Sequence, residues 1–425
     1  MREDEIYERV ANEYRPRVID NRVSSLLTSF GGLLIAGPKW CGKSWTGARY
    51  SRSIFFVGDE DSAALASIDP SLALEGEQPR LIDEWQDVPK LWDIARRNID
   101  FSGKRGVYIF TGSTIPREKT THHSGTGRFA KIRMHTLSLF ESGDSDGSVS
   151  LSKLFAGDKM KNRKSNIDYR RTVGLICKGG WPTALDMDGQ AALEIPRRYI
   201  ESVVDSDLQR LDDKARDRDL LRLALRSLAR NSATPAKLSV ISKDISTNGG
   251  TISDGTIYEY ISAFKRIYLI EEQEAWAMSL RSRARIRTSP KRHFTDPSLA
   301  AALLNATPDI LVKDVRTVGF LFESLCYRDL SVYAAASGGK VYHYHDSSDL
   351  EVDNIIELCN GKWGAVEVKL GTSEFDDAAE NLLSLKEKVG PDKEPAFLMI
   401  LCASGGLAYT REDGVLVVPV DLLGP

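Results

Sequence analysis

Cysteine is scarce in this 425-residue chain: Cys41, Cys177, Cys326, Cys359 and Cys402 are odd in number, far apart and form no C-x-x-C pair. That excludes a disulfide framework and a structural zinc knuckle, and points to free thiols in a reducing compartment. Long hydrophobic runs are lacking as well. The longest, such as Gly31–Ala36 and Val415–Val420, are of strand length, far below the roughly 20 apolar residues of a membrane helix. The first twenty residues, MREDEIYERVANEYRPRVID, are charged and carry no apolar stretch of the kind a secretory leader needs. No excess of one charge sign exists either. Lys and Arg number 57 against 60 Asp and Glu, a net charge of −3, so a nucleic-acid site would have to be a local patch. A soluble cytoplasmic protein without a membrane partner is expected. The length makes two to four domains a sensible expectation.

Apolar runs alternate with helical spacing in the first third of the chain. Arg22–Phe30 is expected to be a helix, followed by strands at Leu33–Ile35, Ser53–Val57, Arg80–Asp83 and Gly106–Thr111, with helices near Lys43 and over Leu91–Ile99. Such alternation predicts a parallel α/β sheet. The segments Arg117–Arg128 and Gly143–Ser150 read as a loop and a flexible linker or turn. Helical patterning runs from Asn166 to about Leu228. Ala236–Trp276 gives short helices closed by the β-like run Tyr268–Glu272, an order that suits a winged helix. Phe320–Val420 reads helix, strands, helix, strands, a second α/β unit. The expected division is 1–150, 151–295 and 296–425.

Residues 37–44 are Gly-Pro-Lys-Trp-Cys-Gly-Lys-Ser, the full G-x4-G-K-[ST] phosphate-binding pattern, between a strand and a helix. Gly37 and Gly42 let the backbone turn its N–H groups toward one point, with Pro38, Lys39, Trp40, Cys41 and Trp45 alongside. Lys43 supplies a cation for the β- and γ-phosphates and Ser44 a hydroxyl for Mg²⁺. Leu81-Ile82-Asp83-Glu84 ends a strand 39 residues after Ser44. Asp83 suits the Mg²⁺ shell and Glu84 a base that orients water; the plainer alternative is an acidic turn. Thr111 and Ser113 end the next strand, where they suit contact with the γ-phosphate or with water, or a capped turn. Arg128, in a glycine-bearing loop, suits an arginine finger in cis or from a neighbour, or a solvated side chain. No guanine-reading motif is present, so ATP is expected over GTP.

Near the C-terminus, Glu351-Val-Asp353 precedes Val366-Glu367-Val-Lys369, with Glu323 on the helical run upstream. Glu367 and Lys369 share a strand face because side chains alternate. Asp…Glu-x-Lys is the order of PD-(D/E)xK nucleases, where Asp353 and Glu367 would hold Mg²⁺, Glu323 would complete the shell and Lys369 would stabilise developing charge. A surface Glu–Lys pair is the plainer alternative. Arg281, Arg283, Arg285, Arg287, Lys291 and Arg292 fall within twelve residues and suit phosphate-backbone contacts, unless they pair with the acidic segment Val203–Asp219.

GPKWCGKS, LIDEWQDVP, the strand ending TGS, HSGTGRFAKIRMHTLSLFESG, SRARIRTSPKRHFTDPSLAAALL and LFESL…LEVDNII…WGAVEVKLG together resemble bacterial and archaeal AAA-type ATPases with a C-terminal domain of unknown function. The resemblance spans nearly the whole chain. It implies an AAA-like parallel-sheet domain, a helical or winged-helix middle and a C-terminal α/β domain like restriction endonucleases. It also implies nucleotide-ligand roles for Lys43 and Ser44, Mg²⁺ and base roles for Asp83 and Glu84, and a sensor or finger role for Arg128. Trp85-Gln86 after Asp-Glu departs from the usual small or polar pair, and no second-sensor arginine stands out, which puts ring mechanics in doubt. The chain is thus expected to be an ATP hydrolase acting on double-stranded DNA, or an ATP-dependent scaffold binding protein partners.

Overall fold

The computed structural model describes residues 3–115, 124–211, 216–247, 250, 252–277 and 288–425. Contacts divide the chain into two compact units, one of residues 1–136 with 266–269 and one of 137–265 with 270–425.

The first unit is built on five parallel strands: β1 (Gly32–Ala36), β2 (Ser53–Phe56), β3 (Arg80–Asp83), β4 (Tyr108–Gly112) and β5 (Phe129–Arg133), in the order β2-β3-β4-β1-β5. β1, β3 and β4 are buried almost throughout because both of their faces are covered, and their central residues Leu33–Ile35, Leu81–Ile82 and Tyr108–Phe110 are apolar. Alternation sorts the side chains. Leu33, Ile35, Ile54, Leu81 and Ile109 pack on one face with Val10, Ile19, Val23 and Ala48. Leu34, Phe55, Ile82, Tyr108 and Phe110 pack on the other with Trp85, Leu91, Trp92 and Ile99. Trp92 stacks on Phe129 with ring centroids 4.0 Å apart, so the helix Lys90–Ser102 is anchored on the strand that closes the sheet edge. β1 lies between β4 and β5: the chain leaves it for β2 at one edge of the sheet, returns strand by strand to β4 and crosses over β1 to β5; in open α/β sheets the crevice at the C-terminal strand ends beside such a reversal is where ligands bind.

The second unit carries a seven-stranded mixed sheet. β6 (Val149–Ser150) pairs with β16 (Leu423–Gly424), and β7 (Arg163–Lys164) extends the main sheet, whose order is β10-β11-β12-β13-β15-β14-β7. Here β10 is Lys340–His345, β11 Glu351–Glu357, β12 Trp363–Lys369, β13 Leu398–Cys402, β14 Leu407–Thr410 and β15 Leu416–Pro419. β12 and β13 run parallel, joined through the helix Phe375–Val389, whose Ala378, Leu382 and Leu385 fill the core under Ile355, Ala365, Ile400 and Val417. Ahead of this sheet stand the helices Arg218–Arg230, Leu238–Thr247 and Asp254–Arg266, then the antiparallel pair β8 (Ile270–Gln273) and β9 (Lys291–Phe294).

Of the two alternatives for Gly143–Ser150, a flexible linker or a turn, the linker is corrected: Ser145 is buried and donates to the Leu423 carbonyl at 2.6 Å, and Val149 and Ser150 pair with Leu423 and Gly424. Its Gly, Ser and Asp composition reflects turns docked on a strand rather than freedom. β5 went unread because Phe129, Lys131 and Arg133 alternate with only two apolar partners, Ala130 and Ile132, behind a glycine loop.

Candidate functional site

The strand-loop-helix from Ala36 to Lys43 folds as its glycines require. A Cβ at Gly37 would stand 2.1 Å from the Met134 carbonyl oxygen, so only glycine fits, and Gly42 takes φ +100°. Trp40, at φ +61°, occupies the left-handed region without being glycine, which costs on the order of 1 kcal/mol. The helix Lys43–Tyr50 has no side-chain cap at Gly42, and its first intrahelical bond runs from Thr46 N–H to the Gly42 carbonyl. The amides ahead of Thr46 therefore make no intrahelical bond and suit an anion. Lys43 is buried and donates to the Pro38 carbonyl at 2.8 Å.

Asp83, at the C-terminal end of β3, is brought to this loop. Its carboxylate accepts from the hydroxyls of Thr111 and Ser44. Burial raises its affinity for a proton and those two hydrogen bonds offset part of the rise; a cation would offset it further. Hard oxygens from Ser44 and Asp83 fit Mg²⁺. Glu84 follows at φ +54°. Its Oε2 accepts from Ser113 N–H at 3.3 Å, Ser113 Oγ at 2.8 Å and Gln86 Nε2 at 2.6 Å. Thr111 donates to Asp83 and accepts the Glu84 N–H at 3.3 Å, tying β3 to β4. Thus Lys43, Ser44, Asp83, Glu84, Thr111 and Ser113 gather at one end of the sheet.

Arg128 does not join them. It precedes β5, whose Phe129 is level with Gly32 while Arg133 is level with Ala36. It therefore lies at the opposite strand end, about 15 Å away along the strand, and pairs with Asp100 at 2.6 Å. A finger role within its own chain is thereby excluded by the parallel register, which the sequence does not display. The arginine at the loop's end of β5 is Arg133, which covers the Tyr268 ring at 5.2 Å. Two further residues escaped sequence reasoning. Arg17 donates to the carbonyls of Cys41 and His135 at 2.8 and 3.0 Å, bracing the loop from behind. Tyr14 donates to Asp20 at 2.7 Å and lies 3.3 Å from Thr46 Oγ1. No motif marks either one.

In the second unit, Glu323, Asp353, Glu367 and Lys369 do come together, with an addition. Lys291 Nζ lies 2.8 Å from Glu323, 2.7 Å from Glu351 and 3.5 Å from Asp353. Lys369 pairs with Glu367 at 2.8 Å. Asp353 turns its other oxygen to Val368 N–H at 2.9 Å, and its carboxyl also bonds that of Glu367. Burial pushes Glu323 up to about 8 despite Lys291, and pushes Glu367 far above the carboxylate range; burial also raises Asp353, but Lys291 and Lys369 outweigh it and hold that group low. Among the described residues, no group of three or more His, Cys, Asp or Glu has the arrangement of a metal site.

Beside Lys291, His293 bridges Gln273 Oε1 and Ser324 Oγ, each at 3.0 Å, and Gln273 Nε2 donates to the carbonyls of Tyr342 and Asp353. Burial pushes His293 down to about 3. Its imidazole stays neutral in the fold while the unfolded chain takes a proton below about 6.5, so stability falls as pH drops from 6.5 toward 3. Replacing His293 with glutamine should flatten that acid limb by up to one proton; urea unfolding across pH checks it, and superimposable limbs would contradict it. Of the basic cluster, Arg281, Arg283, Arg285 and Arg287 lie outside the described residues. Lys291 is turned inward, and Arg292 donates to Glu272 and to the Ala236 carbonyl.

A family match spans the segment that carries the first site. Residues 30–142 match the family model described as an AAA domain, while 170–310 and 318–423 match domains of unknown function, DUF8612 and DUF4143. No curated protein matches the chain. Among solved structures, a Walker-type ATPase of Pyrococcus abyssi is 12% identical with a TM-score of 0.42, over 69% of this chain and 99% of that one. AMPPCP-bound DnaA from Aquifex aeolicus is 12% identical with a TM-score of 0.28, over 58% and 86%. The Thermotoga maritima RuvB Holliday junction branch migration motor is 14% identical with a TM-score of 0.25, over 72% and 95%. Superpositions this loose carry no weight for the fold. Among the described residues no helix is long and apolar enough to cross a membrane. Residues 30–142 are thus similar to an AAA domain, and their strand-loop-helix has the geometry of a phosphate-binding loop.

Proposed function

We propose that the chain hydrolyses ATP and uses the cycle as a switch or motor on DNA. The observation that carries this is the convergence of Ser44, Asp83, Thr111 and the Ser113-held Glu84 beside an uncapped helix N-terminus. In this reading Lys43 leaves the Pro38 carbonyl for the β- and γ-phosphates. Ser44 and Asp83 would hold Mg²⁺, which neutralises phosphate charge. Glu84 orients the attacking water and accepts its proton, while Ser113 senses the γ-phosphate. The helices from Arg218 to Arg266 followed by β8 and β9 have the order of a winged helix, which supports a DNA-binding middle.

A second reading, an ATP-dependent signalling or scaffold protein whose later regions bind protein, is favoured by one observation: Lys291 and Arg292 are committed to internal acceptors. Hydrolysis of radiolabelled ATP with and without double-stranded DNA separates the two. DNA is expected to raise the rate; a rate indifferent to DNA turns the choice to protein partners.

A further inference from the structure

The order of Asp353, Glu367 and Lys369, with Glu323 behind them, implies a divalent ion at the C-terminal cluster. The residues present do not fit one. Lys291 is 2% exposed, and its ammonium faces three carboxylates at 2.7–3.5 Å. An ammonium has three N–H donors, and here each has an acid to face. Asp353 has both oxygens engaged, one by Lys291 and one by Val368 N–H. Glu367 is covered by Lys369. A divalent ion would need at least two of these oxygens and would meet a positive charge already among them.

Lys291 is also hard to withdraw. It sits at the start of β9, level with Gln273 on β8, and two residues on His293 faces the same way and is bonded to Gln273 and Ser324. Moving the ammonium out means parting β9 from this buried polar seam, since a side chain rooted at that strand position reaches nowhere else without leaving two largely buried acids, Glu323 and Asp353, bare.

We infer that Lys291 is the resident cation of this carboxylate cluster, standing where the ion of a two-carboxylate nuclease would stand, so that the unit takes up no divalent metal there and cuts no phosphodiester. The cluster is a structural clasp between β9, β11 and the helix Val315–Ala336. The inference is independent of the ATPase reading, because its test is done without nucleotide.

The test is Mn²⁺ binding followed by electron paramagnetic resonance on the full chain. Wild type and Asp353→Asn are expected to bind equal amounts, and Lys291→Met is expected to gain one ion, lost again in Lys291→Met/Asp353→Asn. Wild type binding one ion more than Asp353→Asn, or no gain in folded Lys291→Met, overturns the inference. Plasmid cleavage in Mn²⁺ guards against variants that do not fold. Wild type should show none above buffer; cleavage that disappears in Lys369→Ala, whose ammonium is partly exposed, would sink the inference whatever the binding data.

Discussion

Glu84→Gln is expected to bind ATP as tightly as wild type while turnover falls by about 10²–10⁴-fold, the span a lost general base removes. The amide keeps an oxygen to accept from Ser113 and Gln86, so the backbone at φ +54° stays where β3 leaves it. What it loses is the capacity to take a proton from water. Phosphate release, with a non-hydrolysable analogue titrated in parallel, checks both halves. Turnover within a few-fold of wild type would mean that another group does the work. Asp83, whose oxygen is bound by Thr111 and whose neighbour is Ser44, would be the next to test.

Lys43→Ala should cost ATP affinity about thirtyfold or more, because truncating one partner of a buried, hydrogen-bonded charge pair costs about 2–5 kcal/mol. In the structure described here the ammonium gives only one bond, to the Pro38 carbonyl. Its removal should therefore leave the melting temperature nearly unchanged while emptying the loop of its main cation. Calorimetric titration reads the affinity directly. Affinity preserved in the variant would remove the phosphate-binding assignment from residues 37–44 altogether.

The nucleotide site was legible because its chemistry is local. Gly37, Gly42, Lys43 and Ser44 lie within eight residues, and Asp83 and Glu84 close one apolar strand, so spacing alone announces them. Register was not legible. Arg128 sits in a glycine loop that suits a finger, yet the parallel pairing of Phe129 with Gly32 sends it to the far strand end. The C-terminal cluster was half legible. Period two places Glu367 and Lys369 together, and the antiparallel pairing of Asn354 with Val366 brings Asp353 alongside. By sequence Lys291 falls among arginines that suit phosphate-backbone contacts or pairing with Val203–Asp219. Nothing in a run of basic residues shows that one of them is aimed at acids 32, 60 and 62 positions later. Tertiary contact, not composition, decides which member of a charged run is solvated.

The clasp of Lys291, Gln273 and His293 bears on how such chains can be reassembled by recombination. A crossover near residue 295 would import a C-terminal sheet without its cation and without the glutamine that caps the Tyr342 and Asp353 carbonyls. The hybrid would carry Glu323 and Asp353 without the Lys291 ammonium between them, and it would pay for that in stability before any question of activity arose. The heritable segment therefore begins upstream of β8, and the middle and C-terminal portions can be exchanged only together.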